Sequence, residues 1–130
     1  MGETQVKGDL ANAQAIASFT RLGYNVSIPI TESASYDLVV EKNGSLYRVQ
    51  VKYCGSRNLD VNLKRVHSNS KGYVVKKYCR ADFDWLYVYR MDGEEFLFTH
   101  DLGGRCSVRA KGDQNRLVTK EAAVQGTNRA

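Results

Sequence analysis

At 130 residues, 42% hydrophobic and with a single proline, the chain suits one globular domain around one buried core and is too short for two. No run approaches the ~20 apolar residues that a membrane span needs, and residues 1–9 lack the apolar segment of a signal peptide, so no membrane association and a cytoplasmic location are expected. The net charge of +5 is spread unevenly: residues 1–47 carry −2, residues 48–80 carry +8 and residues 81–130 carry −1, and a basic middle third is a plausible footprint for a phosphate backbone.

Residues 6–22 are rich in alanine, contain no proline and end at Gly23, which predicts a helix. Leu10, Ala13 and Ala17 follow 3- and 4-residue spacing and are the expected core face, with Asp9, Asn12 and Ile16 on an adjacent stripe. A short strand over 24–28 stops at Pro29, and 30–35 is a polar loop. Strands are then predicted over 36–42 and 45–54, joined by the hairpin signal Asn43-Gly44. In the second of these, Tyr47, Val49, Val51 and Tyr53 share one face, and Arg48, Gln50 and Lys52 share the other. A further strand is expected over 59–66, a loop over 67–72 and a strand over 73–78. Residues 85–90 and 95–99 form a second expected hairpin, turning at Met91-Asp92-Gly93. Residues 1–110 are taken as one domain, and 111–130 as a polar, partly disordered tail with a short helix near 118–124. Cys54, Cys79 and Cys106 are odd in number and form no C-x-x-C pair, so neither a disulfide framework nor a zinc site fits them.

The polar face of the 36–54 hairpin carries the chemistry. Asp37 opens one strand, and Gln50 and Lys52 lie two apart on its neighbour, bringing a carboxylate, an amide oxygen and an ammonium to one end of the hairpin. A hard divalent ion takes oxygen donors, polarises a phosphate and acidifies a water, while a nearby ammonium offsets charge building on the phosphate oxygens. The plainer alternative is Asp37 as a turn cap and Gln50 with Lys52 on a solvated strand face. The apolar flanks of these strands argue instead for a central position, where lysine is rare.

These residues also match a family pattern. Tyr36-Asp37-Leu38-Val39-Val40-Glu41 followed by Tyr47-Arg48-Val49-Gln50-Val51-Lys52 resembles the core motif of PD-(D/E)XK nucleases. More narrowly it resembles the branch of group I intron-encoded homing endonucleases, in which Q-x-K replaces (D/E)-x-K. Lys7-Gly8-Asp9-Leu10-Ala11, Leu22-Gly23-Tyr24, Pro29 and Asp82-Phe83-Asp84-Trp85-Leu86-Tyr87-Val88-Tyr89 follow the same family, so the resemblance spans residues 7–97.

The resemblance implies an α/β, restriction-endonuclease-like fold: a mixed central β-sheet with the N-terminal helix flanking it. It implies a metal-dependent DNA endonuclease of homing or restriction-like type, using Mg²⁺, for which Mn²⁺ substitutes. Asp37, Gln50 and the backbone carbonyl of Val51 would hold the metal, and Lys52 would be the catalytic ammonium. The helix position that is usually glutamate in the family is Asn12, which leaves Asp37 as the one formal anion unless Asp9 compensates. Duplex cleavage by single-site subunits implies a homodimer or homotetramer. DNA contacts are expected from Arg57, Lys64, Arg65, Lys76, Lys77 and Arg80, interleaved with Tyr73 and Tyr78. His67 and His100 have no metal-ligand spacing around them, and Asp84 reads as structural. Phe83, Trp85, Tyr87 and Tyr89 read as sheet packing ahead of a base-stacking platform. Alternatives are a Holliday-junction resolvase-like nuclease, a non-catalytic DNA-binding module with a degenerate nuclease site, and a domain binding an acidic protein.

Overall fold

The computed structural model describes residues 2–69, 72–77 and 82–119, with the backbone alone described for 64–69 and 72–77. Helix α1 spans Glu3–Arg21. It ends as Gly23 predicts: Gly23 takes φ +89°, its N–H donates to the Thr20 carbonyl and the Tyr24 N–H donates to the Phe19 carbonyl. These two bonds satisfy carbonyls that the helix would otherwise leave open. The Tyr24 ring then packs edge-on to Phe19, with centroids 5.5 Å apart.

The buried face of α1 differs from the expected one. Ala11, Ala15, Ser18 and Phe19 are buried, whereas Leu10 is 48% exposed and Ala13 and Ala17 face solvent. Alanine occurs on both sides of this helix, so its spacing does not choose between them. Phe19 does, as the one residue of α1 bulky enough to fill the space between Tyr24, Trp85 and Tyr87.

The strands are β1 Asn25–Ser27, β2 Leu38–Lys42, β3 Ser45–Cys54, β4 Asp60–Asn62, β5 Lys64–Asn69, β6 Gly72–Lys77, β7 Trp85–Arg90, β8 Glu95–Phe98, β9 Ser107–Arg109 and β10 Arg116–Leu117. Six of them form a sheet in the order β1-β2-β3-β7-β8-β10. Only the β3–β7 pair is parallel, so the sheet is mixed, as the fold expectation required. The strand expected over 59–66 divides at Leu63 into β4, which pairs with β9, and β5, which pairs with β6. The loop expected over 67–72 is instead largely ladder, with His67 opposite Val74 and Asn69 opposite Gly72. Beyond residue 110, β10 extends the main sheet by pairing with β8; most of the expected 118–124 helix lies outside the described residues. Among the described residues no helix is long and apolar enough to cross a membrane.

Two cores flank the sheet. On the α1 side Ala11, Ala15, Phe19, Leu38, Val40, Val49, Val51 and Tyr87 cluster. On the far side lie Cys54, Val61, Leu63, Phe83, Leu86, Val88, Phe96, Phe98, Val108 and Ala110. A buried polar chain pins α1 to the sheet. Gln14 Nε2 donates to Ser18 Oγ at 3.2 Å, the Ser18 hydroxyl donates to Glu95 Oε1, and the Tyr87 hydroxyl donates to the same oxygen at 2.6 Å. Burial, and then the Glu95 carboxylate, drive the Tyr87 hydroxyl well above its ordinary pKa, so it remains a donor.

Candidate active site

The β2–β3 hairpin sets the geometry. Asn43 and Gly44 both take positive φ, 53° and 83°, the turn whose twist matches paired strands. The register that follows pairs Leu38 with Val49, which brings Asp37 across from Gln50. Asp37 N–H donates to the Val49 carbonyl at 2.9 Å, and Asp37 Oδ2 accepts the Val51 N–H at 2.8 Å. The carboxylate therefore occupies the next ladder position, where a backbone carbonyl would otherwise accept. The N–H and C=O of one strand residue leave on the same side, so the Val51 carbonyl faces the same gap at the start of β2.

Leu38, Val49 and Val51 pack on the α1 side, so alternation puts Asp37, Gln50 and Lys52 on the opposite face. There the β7 neighbours of Gln50 and Lys52 are the buried Leu86 and Val88. Gln50 is only 8% exposed, and its Nε2 sits 3.5 Å from the Val51 carbonyl, the outer limit of a hydrogen bond. Burial pushes the Asp37 carboxyl up, opposed by the Val51 N–H and by Lys52. Burial pulls the Lys52 ammonium down, opposed by Asp37. The structure thus brings the acid, the amide and the amine together on one sheet face.

Asn12 is half-buried on α1, and its Oδ1, closed off from solvent, has no hydrogen-bond partner among the described residues. Asp9, one turn earlier, is exposed. Among the described residues no group of three His, Cys, Asp or Glu side chains is placed to hold a metal. A cation here would rely on one carboxylate with amide and carbonyl oxygens.

Of the expected DNA-contacting residues, Arg57 is exposed just past β3. In the β5–β6 ladder Lys64 stands opposite Lys77 and Arg65 opposite Lys76, so the register gathers four basic residues at the open end of that hairpin. Arg80 lies outside the described residues. His100 is exposed and contacts the Phe98 ring. It lines a cavity of about 190 Å³ with Tyr47, Phe83, Asp84, Trp85 and Arg105, and none of Asp37, Gln50 and Lys52 lines that cavity. Tyr87 is buried and Trp85 stacks on Tyr47 at 4.1 Å, which makes these two aromatics packing residues. Cys54 is a buried free thiol and Cys106 an exposed one.

Asp84 has the structural place expected of it, and Arg48 is its partner. Asp84 Oδ2 accepts from Arg48 N at 2.8 Å and from Arg48 Nε at 3.2 Å, while Oδ1 accepts from Nη2 at 3.2 Å. The Asp84 N–H donates in turn to the Arg48 carbonyl at 2.9 Å. This clasp starts the parallel β3–β7 pairing two residues before Gln50. Asp84→Ala is expected to lower stability by about 1–2 kcal/mol, an effect limited by the partial exposure of both side chains, read as a lowered urea midpoint. An unchanged midpoint would remove the clasp from the account of the fold. The buried acceptor Glu95 was not legible in sequence, because it looks like any surface acid until Ser18 and Tyr87 are placed beside it.

A family model described as PD-(D/E)XK endonuclease matches residues 2–124. Protein 5.3 of Escherichia phage T7 is 31% identical over 102 residues, covering 78% of this chain and 84% of that protein. Among solved structures, a bacterial homing endonuclease, I-Ssp6803I, superposes with a TM-score of 0.74 at 23% identity, covering 98% of this chain and 97% of the other. The Q-x-K form of the motif rests on Gln50 and Lys52 themselves.

Proposed function

Because the chain belongs to the PD-(D/E)XK endonuclease family, we propose that it hydrolyses DNA phosphodiester bonds in the homing or restriction-like manner, with a divalent cation, Mg²⁺ or in its place Mn²⁺, at Asp37, Gln50 and Val51. The observation that carries this reading is the gap at the start of β2, where the Asp37 carboxylate and the Val51 peptide meet beside buried Gln50 and a partly desolvated Lys52.

The donor set suits a hard cation, since every ligand atom is oxygen. The Gln50 amide is weakly engaged at 3.5 Å and can turn its oxygen toward the point that Val51 faces. When bound, the ion supplies polarisation of the scissile phosphate and an acidified water. The chain's own residues do the rest. The Val51 N–H fixes the direction of the Asp37 carboxylate. Lys52 places its ammonium beside that carboxylate, where it orients the attacking water and offsets charge on the phosphate oxygens. Arg57 and the basic base of the β5–β6 hairpin would hold the backbone, with affinity falling steeply as salt rises. Each chain cuts one strand, so duplex cleavage takes at least two copies.

The test is plasmid nicking and thermal unfolding of the full chain with Mg²⁺, with Mn²⁺ and with EDTA. Nicking is expected with either ion and not with EDTA, together with an ion-dependent rise in Tm that Asp37→Asn loses. The pH profile follows from burial. Cation binding requires ionised Asp37, whose pKa is raised above 3.8, so the acid limb moves up. Lys52 must stay protonated and its pKa is lowered below 10.5, so the alkaline limb moves down, and the bell narrows from both sides. DNA retention without nicking under either ion would convert this reading into that of a non-catalytic binding module.

A further inference from the structure

The side of α1 turned away from the sheet is apolar. Val6 is 51% exposed and Leu10 48% exposed, and Ala13 and Ala17 are exposed with them. At about 100° per residue these four fall within roughly 60° of arc, centred opposite the buried Ala11, Ala15 and Phe19. Their 4-3-4 spacing is that of a helix–helix seam. Soluble surfaces scatter apolar residues singly; a straight row along three turns marks a contact.

We propose that this face of α1 pairs with the α1 of a second copy of the chain, antiparallel about a two-fold axis between residues 11 and 12. The row is self-complementary under that operation. Val6 meets Ala17 of the other copy and Leu10 meets Ala13, each large side chain against a small one, and both pairs have the same centre. A two-fold contact requires this reciprocity, and alternating large and small residues lets two helices interdigitate. Charge agrees with the same register. Glu3 lies in the first turn and Arg21 in the last, on one flank of the row, so antiparallel pairing sets each Glu3 beside the other copy's Arg21. The Glu3–Lys7 pair at 3.2 Å is solvent-exposed, at 84% and 45%, and leaves Glu3 able to take a second cation. Opposed helix dipoles favour the same orientation.

Gln50 and Lys52 leave the sheet on the face away from α1, so the pairing keeps both sites uncovered. A helix of this length offers an interface at the low end of specific sizes, giving a weak dimer with Kd on the order of 10⁻⁵ M. The proposal goes beyond the nuclease reading and is tested without DNA or cation, so neither outcome decides the other.

The experiment is sedimentation equilibrium of the full chain from about 1 to 500 µM, bracketing that Kd. A reversible monomer–dimer equilibrium is expected. Leu10→Lys should raise Kd at least about tenfold with an unchanged circular dichroism spectrum and Tm, because Leu10 is exposed in the monomer. Glu3→Arg and Arg21→Glu should each weaken the dimer, and the double variant should recover it. In a Cys79→Ser, Cys106→Ser background, Val6→Cys mixed with Ala17→Cys should form the mixed disulfide under mild oxidation, and Val6→Cys alone should not cross-link. A monomer throughout, a dimer indifferent to Leu10→Lys, or Val6→Cys self-cross-linking would each overturn the proposal.

Discussion

Lys52→Ala is expected to reduce plasmid nicking by about 10²–10⁴-fold, the range lost with a single acid–base or electrostatic group, while retention on DNA at moderate salt stays within a few-fold. The ammonium sits on the central strand of the hairpin, partly desolvated and close enough to Asp37 that each shifts the other. Beside the scissile phosphate it would offset charge that builds only as the bond breaks, so it acts on the transition state more than on binding. Retention rests on several phosphate contacts, of which Lys52 is at most one. Asp37→Ala should match this loss by a different route: it removes the one formal anion of the cation set and frees the Val51 N–H that it now holds at 2.8 Å. Added Mn²⁺ should rescue neither variant. Nicking that persists in both, in protein free of contaminating nuclease, would rule out this site.

Phe19→Ala is expected to cost about 3–5 kcal/mol, a large share of the roughly 5–15 kcal/mol that holds a domain of this size. Phe19 is fully buried and touches the rings of Tyr24, Trp85 and Tyr87. Its fully buried apolar neighbours on that face of α1 are Ala11 and Ala15, with Ile16 packed only partly buried beside them, so little is at hand to close the void. Loss of the Tyr24 contact also weakens the helix end. Leu10→Ala is the matched control. Leu10 lies on the solvent side of α1 in the single chain, so its truncation should change stability by less than about 0.5 kcal/mol at concentrations where the chain is monomeric. Urea midpoints for the two variants separate the faces directly, and comparable losses would mean that α1 packs by its Leu10 face.

The same pair of residues marks how far local information reached. Period-2 alternation and the Asn43-Gly44 turn are local properties, so β3 was legible to its exact ends, and with it the shared face of Gln50 and Lys52. The end of α1 at Gly23 was local in the same sense, because only a residue tolerant of positive φ closes that helix. Which side of α1 is buried was not local: alanine on both sides leaves the choice to Phe19 and the aromatic cluster it meets across the sheet.

Other features came from partners far away in the chain. The break at Leu63 exists because β4 pairs with β9, more than forty residues on, and β10 is a two-residue strand with no periodicity to read. Glu95 is buried because hydroxyls from Ser18 and Tyr87 converge on it, and no spacing in the sequence announces that.

For the candidate site the division is similar. Residue types and alternation, together with the resemblance of the surrounding residues to the PD-(D/E)XK motif, named Asp37, Gln50 and Lys52, since a carboxylate, an amide and an amine on paired strands are a chemical statement before they are a structural one. Only the folded register could direct the Val51 peptide into the gap beyond Leu38, and only packing against Leu86 and Val88 could desolvate the site. Side-chain chemistry is written in single residues; burial and backbone direction belong to pairs of strands, and strands pair only when the chain is folded.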